Sequence, residues 1–441
     1  MSASTRTELE RRLDPLRDPF RDFITAQTTA AAVLLLAMVS ALLLFNFGGA
    51  AWYAWLQNLP VGFHAGKWQF SFSLLSLTND GLIAIFFFLI GLEIKRELLA
   101  GELQDNSRRG MLMASAFGGM LMPALIYAGI NLWSGAGAVE GWGIPMATDT
   151  ALAIGVLAAL GTRLVPGAAA FLVGLAIVDD IGAVTVIALF YTQAIHGFSL
   201  LSAVVLLAIM FLINYAGIRH PLVYASLGAL LWLAVHHSGI HASIAGVLIA
   251  ATVPARPRMP PGRLLHSLQK RMSAIHPHAD VLAYSEDHEK IESVALEARE
   301  ATTPLRRWER ALDLPVALII LPLFAFLNAG ASMQTGRLSE SLHDPVALGV
   351  ALGLLFGKPL GIISFALVAK RLGFGCLPEG VSYRHLIGLG MLAGIGFTMS
   401  TFIADLALPE HRLELAKIAI LCASALAGML GYLMLRFSVR D

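Results

Sequence analysis

Residues 171–190 read FLVGLAIVDDIGAVTVIALF, an apolar run whose only charged residues are the adjacent acids Asp179 and Asp180. A run of this length is typical of a helix that crosses a membrane, which takes about 20 apolar residues. A charged side chain at mid-membrane costs about 2.5–3.5 kcal/mol, so each such residue requires a partner or a function. The pair therefore indicates both the class of fold and the place where the function should be sought.

The composition of the whole chain agrees with that class. Of its 441 residues, 57% are hydrophobic and 14% are charged, whereas soluble domains carry about 25% charged residues. Residues 1–22 mix Arg with Asp and Glu and contain no small-residue cleavage site, which predicts a retained cytoplasmic arm rather than a signal peptide. The distant Cys376 and Cys422 indicate neither a disulfide framework nor a metal cluster. We expect no cofactor and no nucleic-acid partner.

Apolar segments predict twelve transmembrane helices. The distribution of Lys and Arg supports this number, because cytoplasmic loops hold an excess of them. With both termini cytoplasmic, 26 of the 31 Lys and Arg residues lie inside, four lie outside, and Lys358 lies within a span. The predicted helices lie near 29–46, 76–98, 111–131, 143–160, 167–191, 200–217, 221–236, 239–254, 314–332, 345–368, 385–404 and 414–436.

The predicted fold is thus an all-α membrane protein with a short β-hairpin. Residues 61–72 carry aromatic and β-branched residues interrupted by glycine, which indicates an external hairpin, with an irregular loop as the alternative. Apolar residues at helical spacing predict an amphipathic helix in the polar loop after the eighth span. The predicted parts are the arm 1–22, a membrane domain 23–254 with helices 1–8, a cytoplasmic loop 255–310, and 311–441 with helices 9–12 and a short cytoplasmic tail.

The Asp179–Asp180 pair has the chemistry of a site for a small hard cation such as Na+ or Li+. Neighbouring residues on a helix diverge by about 100°, so both acids could reach one cavity. A carboxylate must lose its proton before it binds a metal ion, so cation and proton compete for the same oxygens. Such competition is sufficient for antiport. A structural pair bound to polar neighbours is the alternative reading.

Two further charged residues lie inside predicted spans. Asp149 follows Gly143 and Pro145, which both disfavour an unbroken helix, and its carboxylate could offset the positive ends of half-helices around a polar cavity. Thr148 would add hydrogen bonds. Lys358 could offset negative helix ends or pair with Asp179, although a purely structural lysine remains an alternative.

The predicted eleventh span repeats the pattern of the fourth. Gly394-Ile395 followed by Thr398 echoes Gly143-Ile144 followed by Thr148. Glycine-interrupted spans in the two halves of a transporter indicate inverted repeats with a binding site between them. Close helix packing at glycine is the alternative explanation.

These residues resemble the NhaA family of sodium/proton antiporters. The resemblance extends from about Phe23 to Arg436, with residues 255–303 as the main excursion. It rests on seven motifs, which are Leu92–Leu98, Gly141–Asp149, Ala176–Ala183, Gly239–Ala242, Leu321–Phe326, Gly357–Gly361 and Gly394–Ser400.

The resemblance implies a specific architecture and activity. Spans three to five and ten to twelve would form inverted-topology repeats, with the fourth and eleventh helices broken and crossing. The protein would lie in the bacterial inner membrane among its lipids, as a homodimer joined through the external hairpin. It would exchange cytoplasmic Na+ or Li+ for external H+ electrogenically by alternating access, for sodium and pH homeostasis.

The resemblance also implies roles for individual residues. Asp179 and Asp180 would bind the cation and carry protons, Lys358 would partner Asp179, and Thr148 and Asp149 would shape the broken crossing and contribute to the ion site.

Activation at alkaline pH is a further implication of the resemblance. It would act through a cytoplasmic funnel containing Glu93, Arg96, Glu97 and Glu309, with His241 retained in its motif. A salt-bridge network at a helix end is an alternative role for Glu93 and Glu97.

The chain departs from the family pattern near this funnel. Arg310 and Asp313 stand where well-known members place histidines, which leaves the pH setpoint open. Asn79 and Asp80 could cap a helix or belong to the outward route, and the role of Asp405 is likewise open.

Two other kinds of transport are alternatives to antiport. A cation-coupled symporter of an organic solute could use a similar inverted-repeat fold, but a lysine beside the acids favours exchange. A passive channel would more often show rings of like residues. No spaced set of nucleophile, base and metal ligands indicates an enzyme.

Overall fold

The computed structural model of the chain describes residues 19–65, 68–101, 106–135, 138–161, 165–192, 195–257, 292–294, 296–298, 301–378 and 380–438. Most of the predicted N-terminal arm and most of the loop 255–310 lie outside these residues. Within that loop, residues 292–294 and 296–298 are helical, in the region of the predicted amphipathic helix.

The described part of the chain is mostly helical. A short 3₁₀ helix, Val139–Met146, precedes the fifth α-helix. The α-helices are α1 (Pro19–Leu44), α2 (Ala50–Gln57), α3 (Leu74–Ala100), α4 (Asn106–Trp133), α5 (Thr150–Ala158), α6 (Pro166–Phe190), α7 (Gly197–Tyr215), α8 (Pro221–His236), α9 (Ile244–Thr252), α10 (Pro304–Asn328), α11 (Thr335–Ser341), α12 (Pro345–Arg371), α13 (Tyr383–Ala393), α14 (Phe397–Ala407) and α15 (Glu410–Ser438).

Eight helical segments among the described residues are long and apolar enough to cross a membrane. The number rises to nine when α13 and α14, which meet at a bend of 46°, count as one span. The other three predicted spans contain shorter helices. Residues 143–160 hold part of the 3₁₀ helix and α5, and α8 and α9 have only 16 and 9 residues. The count of twelve spans therefore stays a prediction.

The predicted β-hairpin is confirmed. Strands β1 (Pro60–Ala65) and β2 (Trp68–Ser73) pair antiparallel between α2 and α3, with Val61 opposite Phe72. This two-stranded sheet is the only one among the described residues. Its external position stays a prediction.

The first apolar helical segment ends at Gln57, whereas the sequence predicts an end near residue 46. A kink at Phe45–Gly49, where Gly48 has a φ of 88°, joins α1 to α2. The hydroxyl of Tyr53 on α2 donates to the carbonyl of Phe326 at 2.7 Å and accepts from the amide of Gly330 at 3.0 Å. These bonds satisfy backbone groups at the end of α10, which the helix itself leaves unpaired.

Helices α4 and α12 pack closely through glycine. A Cβ added at Gly361 would overlap the backbone oxygen of Gly118, and one added at Gly118 would overlap the oxygen of Gly361. Small residues allow helix backbones in membranes to approach each other in this way. The contact fixes α12, which carries Lys358, against α4.

Gly361→Ala is therefore expected to destabilise the protein, by about 1–3 kcal/mol as for other overpacked sites. The expected readout is a lower apparent Tm of the purified protein in detergent. Gly129→Ala is the matched control, because an added Cβ at this position of α4 meets nothing within 4 Å. Equal Tm values for the two variants would contradict the close-packing argument.

Candidate functional site

Two interrupted helical segments lie against each other at the centre of the site. The 3₁₀ helix ends at Met146, and α5 begins only at Thr150. Residues 394–396 separate α13 from α14. The amide of Asp149 donates to the carbonyl of Ile395 at 2.6 Å, and the hydroxyl of Thr148 donates to the carbonyl of Ala393 at 2.9 Å. Residues 147–149 and 394–396 therefore lie together, and hydrogen bonds from Thr148 and Asp149 pair backbone carbonyls at the second interruption.

The Asp149 carboxylate caps two helices at once. Its Oδ1 accepts from the amide of Leu152 in α5 at 3.1 Å, and its Oδ2 accepts from the amide and hydroxyl of Thr398 in α14 at 3.0 and 2.6 Å. Helix N-termini carry partial positive charge and unpaired amides. Asp149 is 1% exposed. Asp149 also lines the cavity described below, so its predicted place among the ion ligands stays a prediction.

Lys358 lies between Asp179 and Thr148. Its Nζ is 2.6 Å from Asp179 Oδ2 and donates to Thr148 Oγ1 at 2.7 Å. Lys358 is 1% exposed and Asp179 is 2% exposed, so the ion pair is almost fully dehydrated. A pair of this kind is costly to break from one side, because the remaining charge stays buried. Three residues selected from the sequence therefore meet in one cluster.

Asp180 faces a different direction from its neighbour. It lines a cavity of about 240 Å³, whereas Asp179, Thr148 and Lys358 do not. Within the described part of the chain, its carboxylate has one hydrogen-bond donor, Thr150 Oγ1, at 3.4 Å. Only 5% of Asp180 is exposed. The two acids thus divide between the lysine cluster and the cavity, instead of reaching one cavity together.

The far end of this cavity contains most of the predicted funnel residues. Glu93 and Arg96 of α3 line it together with Glu309 of α10, as do Arg310 and Asp313. The Arg96 guanidinium lies 2.6 Å from the Glu309 carboxylate through Nη1 and Oε1.

Two of the predicted pH-response residues do not line the cavity. Glu97 is not part of the lining, and its Oε2 lies 3.9 Å from Nη2 of Arg96. His241 lies near Asp80, with 3.9 Å between Nε2 and Oδ1. Asp80 and Arg96 are separated along α3 by about 24 Å at about 1.5 Å per residue. The structure therefore does not bring His241 into the funnel.

The two acids whose roles the sequence left open lie at the His241 end. Asp405 accepts from the amide of Asn79 at 3.4 Å, and Asn79 exchanges hydrogen bonds with Asn328 across α3 and α10. Asp80 accepts from the Ser76 hydroxyl at 3.0 Å. Neither acid lines the described cavity.

Two threonines of the site were not selected from the sequence. Thr398 was visible only as part of the glycine echo, and Thr150 only as the hydroxyl residue that follows Asp149. Their contacts depend on elements far apart in the chain, so spacing alone gave no reason to select them. The contacts of Ala393 and Ile395 are made by their backbone carbonyls, which the identity of the residue does not reveal.

Comparison with known proteins assigns the chain to a family. The family model described as Na+/H+ antiporter 1 matches residues 21–435. The chain belongs to this antiporter family. It is 47% identical over 442 aligned positions to Na(+)/H(+) antiporter NhaA 1 of Shewanella denitrificans, covering 99% of this chain and 98% of that protein. The resemblance inferred from the seven motifs is confirmed.

Other NhaA proteins match over similar lengths. Na(+)/H(+) antiporter NhaA 2 of Psychromonas ingrahamii is 47% identical over 435 positions, with 97% of this chain and 91% of that protein covered. Na(+)/H(+) antiporter NhaA of Sulfurimonas denitrificans is 43% identical over 438 positions, with 98% of both chains covered. The whole membrane domain of this NhaA-family chain is therefore covered by its relatives.

Lys358→Ala is expected to destabilise the fold by about 3–5 kcal/mol, because it leaves Asp179 charged and buried without its partner. The measurement is the apparent Tm in detergent. The double variant Lys358→Ala/Asp179→Asn should recover much of the loss, since the unpaired charge is then absent. Equal Tm values for the single and double variants would show that the loss of stability does not come from the unpaired charge of Asp179.

Proposed function

We propose that the protein is an electrogenic secondary antiporter that exchanges cytoplasmic Na+ or Li+ for external H+ by alternating access, in sodium and pH homeostasis. The observation that carries the proposal is the position of Asp180. Its buried carboxylate faces a cavity with one weak hydrogen bond, while the adjacent Asp179 is held by a buried lysine. The relatives named as Na(+)/H(+) antiporters support the same activity.

The exchange step follows from competition at Asp180. A hard alkali cation prefers oxygen ligands, and the carboxylate can bind it only after it releases its proton. Protonation from the other side of the membrane then expels the cation. Asp180 is therefore proposed as the residue that alternates between proton and cation.

Lys358 and Asp179 supply a second exchangeable charge. When a cation approaches the two acids, it competes with the Lys358 ammonium for the Asp179 carboxylate. A proton released from this pair adds to the one released from Asp180. More proton charge then enters than cation charge leaves, which makes the exchange electrogenic.

Alternating access is proposed to involve the two interrupted segments. We infer twelve spans, of which the fourth (143–160) and the eleventh (385–404) are broken. Each of the two inverted repeats contains one of these broken spans. The hydrogen bonds from Thr148 and Asp149 to residues 393–395 support the crossing. The shortness of α5, α8 and α9 agrees with spans that include non-helical residues.

We assign the protein to the bacterial inner membrane with both termini in the cytoplasm. The excess of Lys and Arg in the predicted inner loops supports this orientation. It places the Arg96–Glu309 end of the cavity on the cytoplasmic side. Activation at alkaline pH would then act through Glu93, Arg96, Glu97 and Glu309, whereas His241 would act from the opposite end. Membership of the antiporter family does not favour the alternative of an organic-solute symporter.

Asp180→Asn is expected to abolish cation-driven proton release, because the amide cannot exchange a proton for Na+. The measurement uses everted membrane vesicles with an acid interior and a fluorescent pH indicator. Adding Na+ or Li+ should dissipate the gradient with wild type and with Glu410→Gln, an exposed acid at the start of α15. Normal dissipation by Asp180→Asn would refute the assignment of the site.

The homodimer is proposed to form through the β1–β2 hairpin. Deletion of residues 60–73 should give a monomer in detergent by light scattering, because an isolated hairpin gains stability by pairing with further strands. A deletion variant that remains dimeric would place the interface elsewhere.

A further inference from the structure

Three consecutive polar residues at the start of α5 have different hydrogen-bonding partners. The Thr148 hydroxyl donates to Ala393 and accepts from Lys358. The Asp149 carboxylate accepts three hydrogen bonds from Leu152 and Thr398. Thr150 lines the cavity, as Asp149 does and Thr148 does not, and its Oγ1 is 3.4 Å from Asp180 Oδ2. Because the Asp149 oxygens already accept three hydrogen bonds, Thr150 has the oxygen best placed to join Asp180 in binding an ion.

The separation of these two oxygens suits a shared cation. Hard cations of about the size of Na+ hold their oxygen ligands at about 2.4 Å, and neighbouring ligands of an octahedral ion are then about 3.4 Å apart. The observed distance between Thr150 Oγ1 and Asp180 Oδ2 has this value. It is long for a hydroxyl–carboxylate hydrogen bond, which is usually about 2.5–2.7 Å. The pair thus has the spacing of two ligands rather than of a tight hydrogen bond.

The Thr150 hydroxyl could supply an additional neutral oxygen ligand beside the Asp180 carboxylate. Asp180 supplies negative charge and at most two oxygens, whereas hard cations of about the size of Na+ take about six or more oxygen ligands. The threonine hydroxyl has two acceptor lone pairs and rotates freely about its C–O bond. It can donate weakly to Asp180 in one state and direct a lone pair to the cation in the other.

We propose that Thr150 is a ligand of the transported cation and determines the preference between Na+ and Li+. The proposal rests on the antiport function argued above and assigns a residue to its ion site. A smaller ion draws its ligands together, so the 3.4 Å separation fits Na+ better than Li+. The loss of this oxygen is therefore expected to weaken Na+ binding more than Li+ binding.

The test compares two substitutions that differ in the hydroxyl oxygen, of which valine keeps the branched shape of threonine. Thr150→Val removes the oxygen, and Thr150→Ser retains it. The matched control is Thr185→Val on α6, where the hydroxyl bonds within its own helix to Ile181. Apparent KM values for Na+ and Li+ are measured in everted vesicles at one pH, and apparent Tm values are measured without either cation.

Thr150→Val should raise the KM for Na+ about tenfold or more, as expected for a loss of at least about 1.4 kcal/mol of cation binding, and should raise the KM for Li+ less. Thr150→Ser and Thr185→Val should stay close to wild type. The selectivity ratio is the decisive readout, because a threonine that only shapes the start of α5 would not change it.

Two results would overturn the proposal while the antiport function stands. One is an unchanged KM for both cations in Thr150→Val. The other is an equal rise in both KM values together with a lower Tm, which would indicate a structural role. If wild type itself releases no protons with either cation, the proposed function fails and the ligand assignment fails with it.

Discussion

The bonds of the Asp149 carboxylate to α5 and α14 are the interaction on which the site depends. Hydrocarbon offers no hydrogen bonds, so an interrupted helix must have its free amides satisfied by protein. One buried side chain does this for two helices, through Leu152 in α5 and Thr398 in α14. It keeps two polar interruptions together inside an apolar protein, and every charged group of the site is positioned relative to them.

The adjacent acids have different partners because consecutive side chains on a helix diverge by about 100°. Asp179 is paired with Lys358, which also bonds to Thr148 beside the interruption. Asp180 keeps most of its oxygen capacity for the cavity. In the proposed mechanism, the Lys358 ammonium and a proton on Asp180 are the two positive charges with which an entering cation competes.

The two ends of α3 contain different polar clusters. Arg96 pairs with Glu309 in the lining of the cavity, whereas Asp80 lies near His241 at the opposite end of α3. The family resemblance implied that His241 and Arg96 both contribute to activation at alkaline pH. A rise of about 1.5 Å per residue places them too far apart for direct contact.

The sequence by itself determined the membrane class, the hairpin, and the charged residues Asp149, Asp179, Asp180 and Lys358, because a charge inside an apolar run stands out without any knowledge of contacts. Only the tertiary structure decided which oxygen faces which partner. Thr150 and Thr148 are one residue type two positions apart, yet one lines the cavity and the other binds Lys358. That difference arises from the extended backbone before α5 and from its bonds to residues 393–395. Such long-range contacts have no local signal.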